Sequence, residues 1–369
     1  MATDTPPAVM RSPRVLHIEI TSACNLRCHY CYYFGSDRAT NHDLPAEDWL
    51  RFFAECGQAG VMKAFIAGGE PFARADLREL LDGLMAQRMR FGILSNGGLL
   101  TAEMARYLAA CGRCDSVQIS LDSVVPEAHD AGRGAGAWEG AVRGLRLLLE
   151  HGVPATVRVT IHRHNVDHLE ATARFLLDEL GLPQFTTNAA GYLGSCRQHA
   201  DSLLLDLPER QRAMTALTAL EARYPGRISA AAGPHADARM WRAMEQARAA
   251  SAERWPRGGR LCACGCVNSE LSVTSDGAYI ACAMLPHLRL GRINEDRLLD
   301  VWRDAPALAA MRARPTISLS QFAFCDGCGW RDYCTGNCPG LAFSLTGEVD
   351  HPSPDACLRR FVEAGGELP

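Results

Sequence analysis

Three closely spaced cysteines, Cys24, Cys28 and Cys31, are the residues of this chain that most clearly predict chemistry. A four-iron cluster normally takes one thiolate per iron, so three cysteines hold three irons and leave the fourth open to a small molecule. Zinc is the alternative metal, but cysteines this close form a poor tetrahedral site unless His29 supplies the fourth ligand. The spacing predicts an iron-sulfur centre with one exchangeable ligand, and an open iron indicates catalysis.

This cysteine run resembles the signature of a known enzyme family. Its spacing is C-x3-C-x2-C, and the aromatic Tyr30 stands directly before the last cysteine, as in the radical S-adenosylmethionine (SAM) enzymes. In that family the SAM methionine chelates the open iron, and reductive cleavage gives a 5'-deoxyadenosyl radical that abstracts hydrogen. The resemblance implies that the cysteines are the catalytic cluster ligands and that Tyr30 contacts the cofactor. A short motif remains a hypothesis until its structural context fits.

Glycines and small polar residues at the ends of the next predicted strands supply that context. A segment similar to the family's GGEP motif, which holds the SAM amino group, consists of Gly68, Gly69, Glu70 and Pro71. The resemblance also implies ribose, methionine and adenine contacts from Ser95, Asn96, Ser120, Asp122 and the backbone near Leu193. Turn formation alone would also explain such residues.

Arg158 lies inside a predicted strand that runs from Thr156 to Ile161. An arginine in a strand must find a carboxylate or reach solvent. In similar enzymes an arginine on this strand pairs with the SAM carboxylate, which makes Arg158 a candidate for that role. A structural ion pair with Glu19 or Asp122 is the alternative, and the residues themselves do not decide between the two.

Six predicted strands alternate with amphipathic helical segments, a pattern typical of a parallel sheet with right-handed crossovers. Six units are fewer than the eight of a complete barrel. We therefore predict an α/β fold, a partial (β/α)6 TIM-like barrel with the three cysteines at the carboxyl ends of its strands. The predicted boundaries are a disordered tail at 1–14, the barrel at 15–205, a helical bridge at 206–260 and a cysteine-rich domain at 261–369.

A second group of cysteines occupies the last third of the chain. The spacing C-x2-C-x5-C-x3-C, followed by one further cysteine, indicates metal binding. Upstream, a C-x-C-x-C run precedes a predicted hairpin with its turn at Ser275, Asp276 and Gly277. Together these features resemble the SPASM domain, the twin-cluster module of radical SAM enzymes that modify peptides. Two zinc sites are the alternative.

This resemblance implies three [4Fe-4S] clusters, one that binds SAM and two auxiliary ones. The outer auxiliary cluster would be held by Cys325, Cys328, Cys334 and Cys357. The inner one would take Cys282 and Cys338 with one or two of the upstream thiols Cys262, Cys264 and Cys266. Cys262 best fits the first position. If only one upstream thiol binds, the inner cluster also has an open iron that a substrate thiolate could occupy.

Composition limits the remaining classes of protein. The net charge of -4 and the scattered arginines argue against nucleic acid, and no apolar run approaches a membrane span. Sixteen cysteines without a secretory start, together with clusters that need reductant, predict the reducing cytoplasm. The histidines at 162 and 164 follow a strand and are expected to lie in a solvated loop.

The leading functional hypothesis is a peptide maturase that uses the SAM-derived radical on a ribosomally synthesised precursor peptide. It would install a C-S, C-C or C-O crosslink or a related modification, with a flavodoxin or ferredoxin as electron donor. Because the first predicted strand begins near Val15, with no room before it for a leader-binding domain, we expect a separate leader-peptide-binding protein. Tyr192, Cys196 and His199 are positional candidates for a group that acts on the substrate radical.

Three alternatives stay open. Anaerobic sulfatase-type formylglycine maturases usually follow the Gly-x4-Cys cysteine with Asp-Phe, whereas Cys282 here is followed by Ala283 and Met284. A small-molecule radical SAM dehydrogenase could use auxiliary clusters as electron acceptors. An iron-sulfur electron-transfer scaffold would need clusters but neither an open iron nor a SAM-binding segment.

Overall fold

The computed structural model describes residues 9–34, 42–250 and 258–369 of the chain. The strands of this described part are β1 (Val15–Glu19), β2 (Lys63–Ala67), β3 (Arg90–Ser95), β4 (Cys114–Ser120), β5 (Ala155–Ile161), β6 (Phe185–Ala189), β7 (Ile228–Ala230), β8 (Glu270–Val273), β9 (Ala278–Ile280) and β10 (Arg289–Arg292). Its α-helices are α1 (Ala46–Ala59), α2 (Leu77–Ala86), α3 (Ala102–Ala110), α4 (Pro126–Arg133), α5 (Ala137–Glu150), α6 (Leu169–Arg174), α7 (Ala200–Leu203), α8 (Leu207–Arg223), α9 (Pro234–Ala249), α10 (Cys266–Ser269), α11 (Leu298–Asp304), α12 (Pro306–Ala313), α13 (Pro339–Thr346) and α14 (Leu358–Glu363). A π-helical turn, Phe175–Glu179, continues α6.

Strands β1 to β7 lie side by side in chain order, and each pairs in parallel with the next. Parallel neighbours need a crossover connection, and helices α1 to α8 lie in those connections. The six predicted strands correspond to β1 to β6. The predicted α/β class is confirmed, with a mostly parallel sheet. The carboxyl ends of its parallel strands lie along the same edge.

Strand β7 differs from the sequence prediction, which assigned residues 206–260 to a helical bridge. Its three residues pair in parallel with β6 between helices α8 and α9. A strand of this length shows no recognisable alternation in a sequence. The bridge is helical, as expected, on either side of this strand.

The sheet continues past β1 into the cysteine-rich part of the chain. β8 pairs in parallel with β1, and β8 and β9 form the antiparallel hairpin that was predicted around Asp276. β10 completes this edge by pairing with β9. One continuous sheet therefore crosses the domain boundary predicted at residue 261.

The start of the described chain is bound to this cysteine-rich part. The Met10 N–H donates to the Asn268 carbonyl at 3.1 Å, and the Arg14 N–H donates to the Ser269 carbonyl at 2.7 Å. The predicted disordered tail, 1–14, therefore ends in hydrogen-bonded backbone. Its residues 1–8 lie outside the described residues.

The two faces of the sheet differ in polarity. In β5 the side chains of Val157, Val159 and Ile161 are buried on the face covered by helices. The intervening Arg158 is half-buried on the opposite face, because side chains alternate along a strand. Polar residues on that second face are therefore available to a ligand.

Helix α1 illustrates how the apolar face is covered. Trp49, Phe52, Phe53 and Cys56 recur at helical spacing and are fully buried. The helix ends at Gly60, whose left-handed backbone (φ 76°) suits glycine. Within the described residues, no helix combines the length and the apolar character needed to span a lipid bilayer.

Candidate active site

The cluster loop, residues 21–34, starts directly against the turn that follows β2. The backbone N–H groups of Gly69 and Glu70 donate hydrogen bonds to the carbonyls of Thr21 and Ala23, each at 2.8 Å. A Cβ atom on Gly69 would come within 2.2 Å of the Ala23 carbonyl oxygen. Glycine is needed here because the two backbones meet with no room for a side chain.

The three cysteines of the cluster loop are half-buried and lie close together. Burial raises the pKa of Cys28 to about 11, and the nearby Arg133 guanidinium partly offsets this effect. Metal coordination requires thiolates, and ionising a buried thiol costs free energy. Binding a metal offsets that cost. The donor set fits an iron-sulfur cluster with three protein ligands and one iron left for SAM.

Glu70 is fully buried and serves the protein's own groups. Its carboxylate accepts hydrogen bonds from the Ser95 hydroxyl at 2.8 Å and from the backbone N–H groups of Asn96 at 2.8 Å and Phe72 at 3.1 Å. Burial raises the pKa of Glu70, and these hydrogen bonds oppose that shift. A buried carboxylate needs such partners, so Glu70 ties the ends of β2 and β3 together, and the SAM contacts predicted for Glu70 and Ser95 stay predictions.

Asn96 contacts the cluster loop directly. Its side-chain amide donates to the Asn25 side-chain oxygen at 2.8 Å and lies 3.9 Å from the Cys24 sulfur. The residue is half-buried, beside the first of the three thiols. Its role as a SAM contact stays a prediction.

Asp122 forms the centre of a buried network. Its carboxylate accepts two hydrogen bonds from Arg133, at 2.7 and 3.1 Å, and others from the Tyr30 hydroxyl and the Thr160 N–H. Burial alone would raise the pKa of Asp122, but the Arg133 guanidinium holds it well below its usual range. The fully buried carboxylate ties the cluster loop to the end of β4, and the contact of Asp122 with SAM stays a prediction.

The Tyr30 ring is held from both sides. It stacks on His162 with ring centroids 5.4 Å apart, and a Cβ atom on Gly132 would lie 2.5 Å from the ring. The His29 N–H donates to the Gly132 carbonyl at 2.8 Å. Burial lowers the pKa of His162 to about 4, which keeps that ring neutral. His162 was expected in a solvated loop and is fully buried, so that expectation is wrong.

Ser120 and Arg158 are neighbours across β4 and β5 on the polar face of the sheet. The Arg158 Nε is buried and has no hydrogen-bond partner. Burial lowers the pKa of Arg158, and no described carboxylate lies within ion-pair distance of its guanidinium. Asp122, one of the two alternative partners, is paired with Arg133 instead. A half-buried cation without an anion is therefore placed beside a serine at the carboxyl end of the sheet.

The segment after β6 packs on the end of the cluster loop. The Ser195 N–H donates to the Cys31 carbonyl at 2.9 Å, and a Cβ atom on Gly194 would lie 2.2 Å from the same oxygen. Leu193 is thereby held next to the third cysteine, and its adenine contact stays a prediction. Cys196 is buried, which raises its pKa to about 11 and separates it from the barrel mouth.

The outer group of auxiliary cysteines comes together as the spacing predicts. Cys325, Cys328, Cys334 and Cys357 lie close enough that the charge of each would raise the pKa of another, and burial raises that of Cys334 to about 12. Among the described residues, no three His, Cys, Asp or Glu side chains converge closely enough to chelate a single metal ion. A cluster spaces its thiolates more widely, because each binds a different iron. The donor set fits an auxiliary iron-sulfur cluster.

The inner group also assembles, although its cysteines are far apart in the sequence. The Cys266 side chain interacts with those of Cys264 and Cys282, and Cys338 lies close enough to Cys282 and Cys264 for their charges to interact. Cys262 is also nearby, but its sulfur donates to the Asn337 carbonyl at 2.9 Å. The structure therefore brings together more thiols here than one cluster needs.

The residues that the motifs did not single out are those that hold the cluster loop. His129 accepts a hydrogen bond from the Asp122 N–H at 3.1 Å, and the Asn165 side chain donates to the Asp122 carbonyl at 2.8 Å. The spacing of residues gives no signal for these contacts, because their partners lie in different elements of the fold.

Comparisons with known proteins agree with this site. The radical SAM superfamily model matches residues 18–176, and the SPASM iron-sulfur cluster-binding domain matches residues 264–329. The PqqA peptide cyclase of Granulibacter bethesdensis is 26% identical over 355 residues, covering 95% of this chain and 89% of that protein. The Fe-coproporphyrin III synthase of Methanosarcina barkeri is 28% identical over 371 residues, covering 94% and 88%.

The fold is similar to that of a solved peptide-modifying system. Streptococcus suis SuiB bound to its precursor peptide SuiA superposes with a TM-score of 0.70 at 18% identity, over 95% of this chain and 77% of that chain. The same protein has also been solved with bound S-adenosylmethionine. The motifs, the assembled thiols and these matches lead to one conclusion: this chain is a radical SAM enzyme with a C-terminal SPASM domain, and its cofactors are SAM, a [4Fe-4S] cluster and auxiliary iron-sulfur clusters.

Proposed function

We propose that this enzyme is a peptide maturase that acts on a ribosomally synthesised precursor peptide and installs a crosslink, C-S, C-C or C-O, or a related modification. The observation that carries the proposal is the set of three half-exposed thiols on the cluster loop. Arg158, whose buried Nε has no hydrogen-bond partner among the described residues, supports SAM binding by the same sheet. Similarity to PqqA peptide cyclases over nearly the whole chain supports a peptide substrate.

The bound cluster and SAM supply, on reduction, a 5'-deoxyadenosyl radical. The protein's residues bind and orient these groups. Cys24, Cys28 and Cys31 would hold three irons, and Arg158 would neutralise the SAM carboxylate, with Ser120 beside it. The Asp122 network fixes the loop on which the thiols stand, so that a bound cluster would be held in one place relative to the sheet.

The proposed partners follow from this chemistry. Cluster reduction needs a low-potential donor such as a flavodoxin or a ferredoxin, and reduced clusters suit the cytoplasm. A separate leader-peptide-binding protein is a further proposed partner. Tight binding of a precursor peptide by the purified chain alone would argue against it.

Anaerobic turnover tests the proposal. The reconstituted enzyme, SAM and a strong reductant should release 5'-deoxyadenosine, and a precursor peptide should lose two hydrogen atoms by mass spectrometry when a crosslink forms. Epimerisation would leave the mass unchanged, and formylglycine formation would alter only a Cys or Ser. Absence of deoxyadenosine with intact clusters would refute the proposal.

A small-molecule substrate is the second candidate, supported by the 28% identity to Fe-coproporphyrin III synthase. The same assay separates the two. An iron tetrapyrrole precursor of Fe-coproporphyrin III, offered instead of peptide, should stay unmodified if the enzyme is a peptide maturase. Its conversion, with no change in the peptide, would favour the second candidate.

A further inference from the structure

A histidine and a glutamate, His17 and Glu270, form an ion pair on the polar face of the sheet. Leu16 and Ile18 flank His17 in β1 and are fully buried in the core under the helices. Because side chains alternate along a strand, His17 points to the opposite face, on which Arg158 also lies. His17 precedes the cluster loop by four residues, or about 13 Å of extended strand. The pair therefore lies on the polar face, below the cluster loop.

The geometry of the pair fixes which ring nitrogen of His17 is available. The His17 Nε2 lies 2.8 Å from a Glu270 carboxylate oxygen, and each side chain is 38% exposed. The hydrogen bond to His17 lowers the pKa of Glu270, and an ionised carboxylate can only accept. In the neutral ring Nε2 therefore carries the proton. Nδ1, which has no hydrogen-bond partner among the described residues, keeps its lone pair.

Aromatic packing holds the plane of the His17 ring. The ring stacks on Phe65 of β2, with centroids 5.3 Å apart and an interplanar angle of 14°. Phe65 lies against Gly92 of β3, where a Cβ atom would come within 2.9 Å of the phenyl ring. The Lys63 ammonium lies 4.4 Å from the centroid of the same ring and pairs with Asp115 at 2.8 Å. These contacts give the imidazole one orientation on the sheet.

Crosslink formation requires a group that accepts a proton. The peptide loses two hydrogens, and the first leaves as a hydrogen atom to the 5'-deoxyadenosyl radical. When the new C-S, C-C or C-O bond forms, one S–H, C–H or O–H bond breaks, its proton passes to a base, and one electron passes to an oxidised auxiliary iron-sulfur cluster. Glu70 and Asp122 are fully buried and hydrogen-bonded to the protein. His17 is half-exposed and has a nitrogen lone pair available.

We propose that His17 accepts, at Nδ1, the proton that the peptide loses during crosslink formation, while Glu270 orients the ring and stabilises the imidazolium. The proposal rests on the proposed peptide-maturase function and assigns its base. His17 is then a catalytic residue and Glu270 a positioning residue. Since Glu270 begins β8, which pairs with β1, the base is completed only where the cysteine-rich part joins the barrel sheet.

Anaerobic turnover with a precursor peptide tests this assignment. His17→Gln keeps an amide donor for Glu270, and His17→Phe keeps the stack on Phe65, but neither offers a basic nitrogen. Both variants should still form 5'-deoxyadenosine, while the crosslinked peptide formed per deoxyadenosine should fall by about 10²-fold or more, as for a lost general base. Ser116→Ala is the matched control, because Ser116 pairs with Gly92 in the same row of the polar face. Its yield should equal that of the wild type.

A second readout needs no substrate. Carbon-13 NMR of the reconstituted, histidine-labelled enzyme should show the neutral His17 ring with its proton on Nε2, and Glu270→Gln should weaken this preference. A neutral ring with its proton on Nδ1 would overturn the proposal, whether or not the His17 variants fold.

The turnover results separate this proposal from the proposed function. A wild-type yield of crosslink in the His17 variants overturns the role of His17 alone. Equal losses of deoxyadenosine and of crosslink would indicate a structural role and also overturn it. A peptide left unchanged by the wild-type enzyme refutes the proposed function itself, and with it the source of the proton.

Discussion

The cluster loop and the auxiliary cysteines hold the same kind of donor in different ways. The cluster loop is joined by hydrogen bonds to strands far away in the sequence, through Gly69, Asp122 and Ser195. Around the outer auxiliary group, the N–H groups of Cys325, Cys328 and Cys334 donate to carbonyls three residues back, and a long-range bond reaches the Cys334 carbonyl from the Gly259 N–H at 2.9 Å.

Packing follows the same division. The sheet and its helices share one large apolar core. The outer cysteines lie beside two smaller buried clusters, one of Leu261, Leu319 and Cys325 and one that includes Trp241 and Phe361. Because a small core stabilises little by itself, the auxiliary region depends more on its metal than the cluster loop does. We infer that the fold positions the cysteines of the cluster loop, whereas metal binding at the auxiliary cysteines stabilises the fold around them.

The largest expected effect concerns the cluster loop. Cys28→Ala removes one of its three thiolates, and 5'-deoxyadenosine formation should fall by at least about 10³-fold, equivalent to roughly 4 kcal/mol of barrier. Anaerobic chromatography of the products measures it. The control is Cys111→Ala, a half-buried thiol whose sulfur donates only to the Leu108 carbonyl in its own helix. An unchanged rate in Cys28→Ala would remove the loop from the catalytic site.

Asp122→Asn tests whether the fold organises the first site. The substitution leaves Arg133 buried without its anion, which should cost about 3–5 kcal/mol in the free energy of unfolding. Denaturant unfolding and the rate of iron loss measure the effect. Asp355→Asn is the matched control, since its contact with Arg210 is exposed and worth little. Similar small losses in both variants would contradict the anchoring role of Asp122.

Removal of iron should affect the two regions unequally. After chelation we expect amide exchange at residues 319–357 to accelerate by about 10²-fold or more, roughly 3 kcal/mol of local stability. Strands β2 to β5 should keep their protection, since their ladder and core need no metal. Mass spectrometry of exchanged peptides measures both. Equal acceleration of exchange in residues 319–357 and in strands β2 to β5 would contradict the proposed difference between the two regions.

Arg158→Met tests whether Arg158 binds the carboxylate of SAM. Loss of the cation should raise the KM for SAM about tenfold, or ~1.4 kcal/mol, because a charge-assisted contact to a carboxylate is lost. The matched control is Thr186→Val, the neighbour of Arg158 on β6. Steady-state kinetics at varied SAM concentration give the result. An unchanged KM would favour a purely structural role for Arg158.

The smallest effect is expected for Tyr30→Phe. It removes one hydrogen bond to Asp122 and keeps the ring stack on His162, so the free energy of unfolding should fall by about 1 kcal/mol. Tyr107→Phe, which loses a surface hydrogen bond to Asp82, is the control. A loss as large as that of Asp122→Asn would show that the hydroxyl, and not the ion pair, anchors the loop.

Much of this architecture could be predicted because its signals are local. The alternation in β5 and the spacing of Cys24, Cys28 and Cys31 lie within a few residues. The three-residue β7 and the parallel pairing of β8 with β1 could not be predicted, because one is too short and the other joins distant segments. The predicted domain boundary at residue 261 therefore did not reveal that one continuous sheet crosses it.

The sequence by itself determined which chemistry this protein performs, since the spacing of its thiols and the GGEP-like segment Gly68 to Pro71 already specify a cluster that binds SAM. Only the tertiary structure decided which polar residues are paired within the protein. Glu70 and Asp122 look like SAM ligands in the sequence, yet they are buried and hydrogen-bonded to the protein. Arg158, by contrast, has a buried Nε that finds no hydrogen-bond partner among the described residues. Burial and pairing depend on neighbours far along the chain, and spacing carries no record of them.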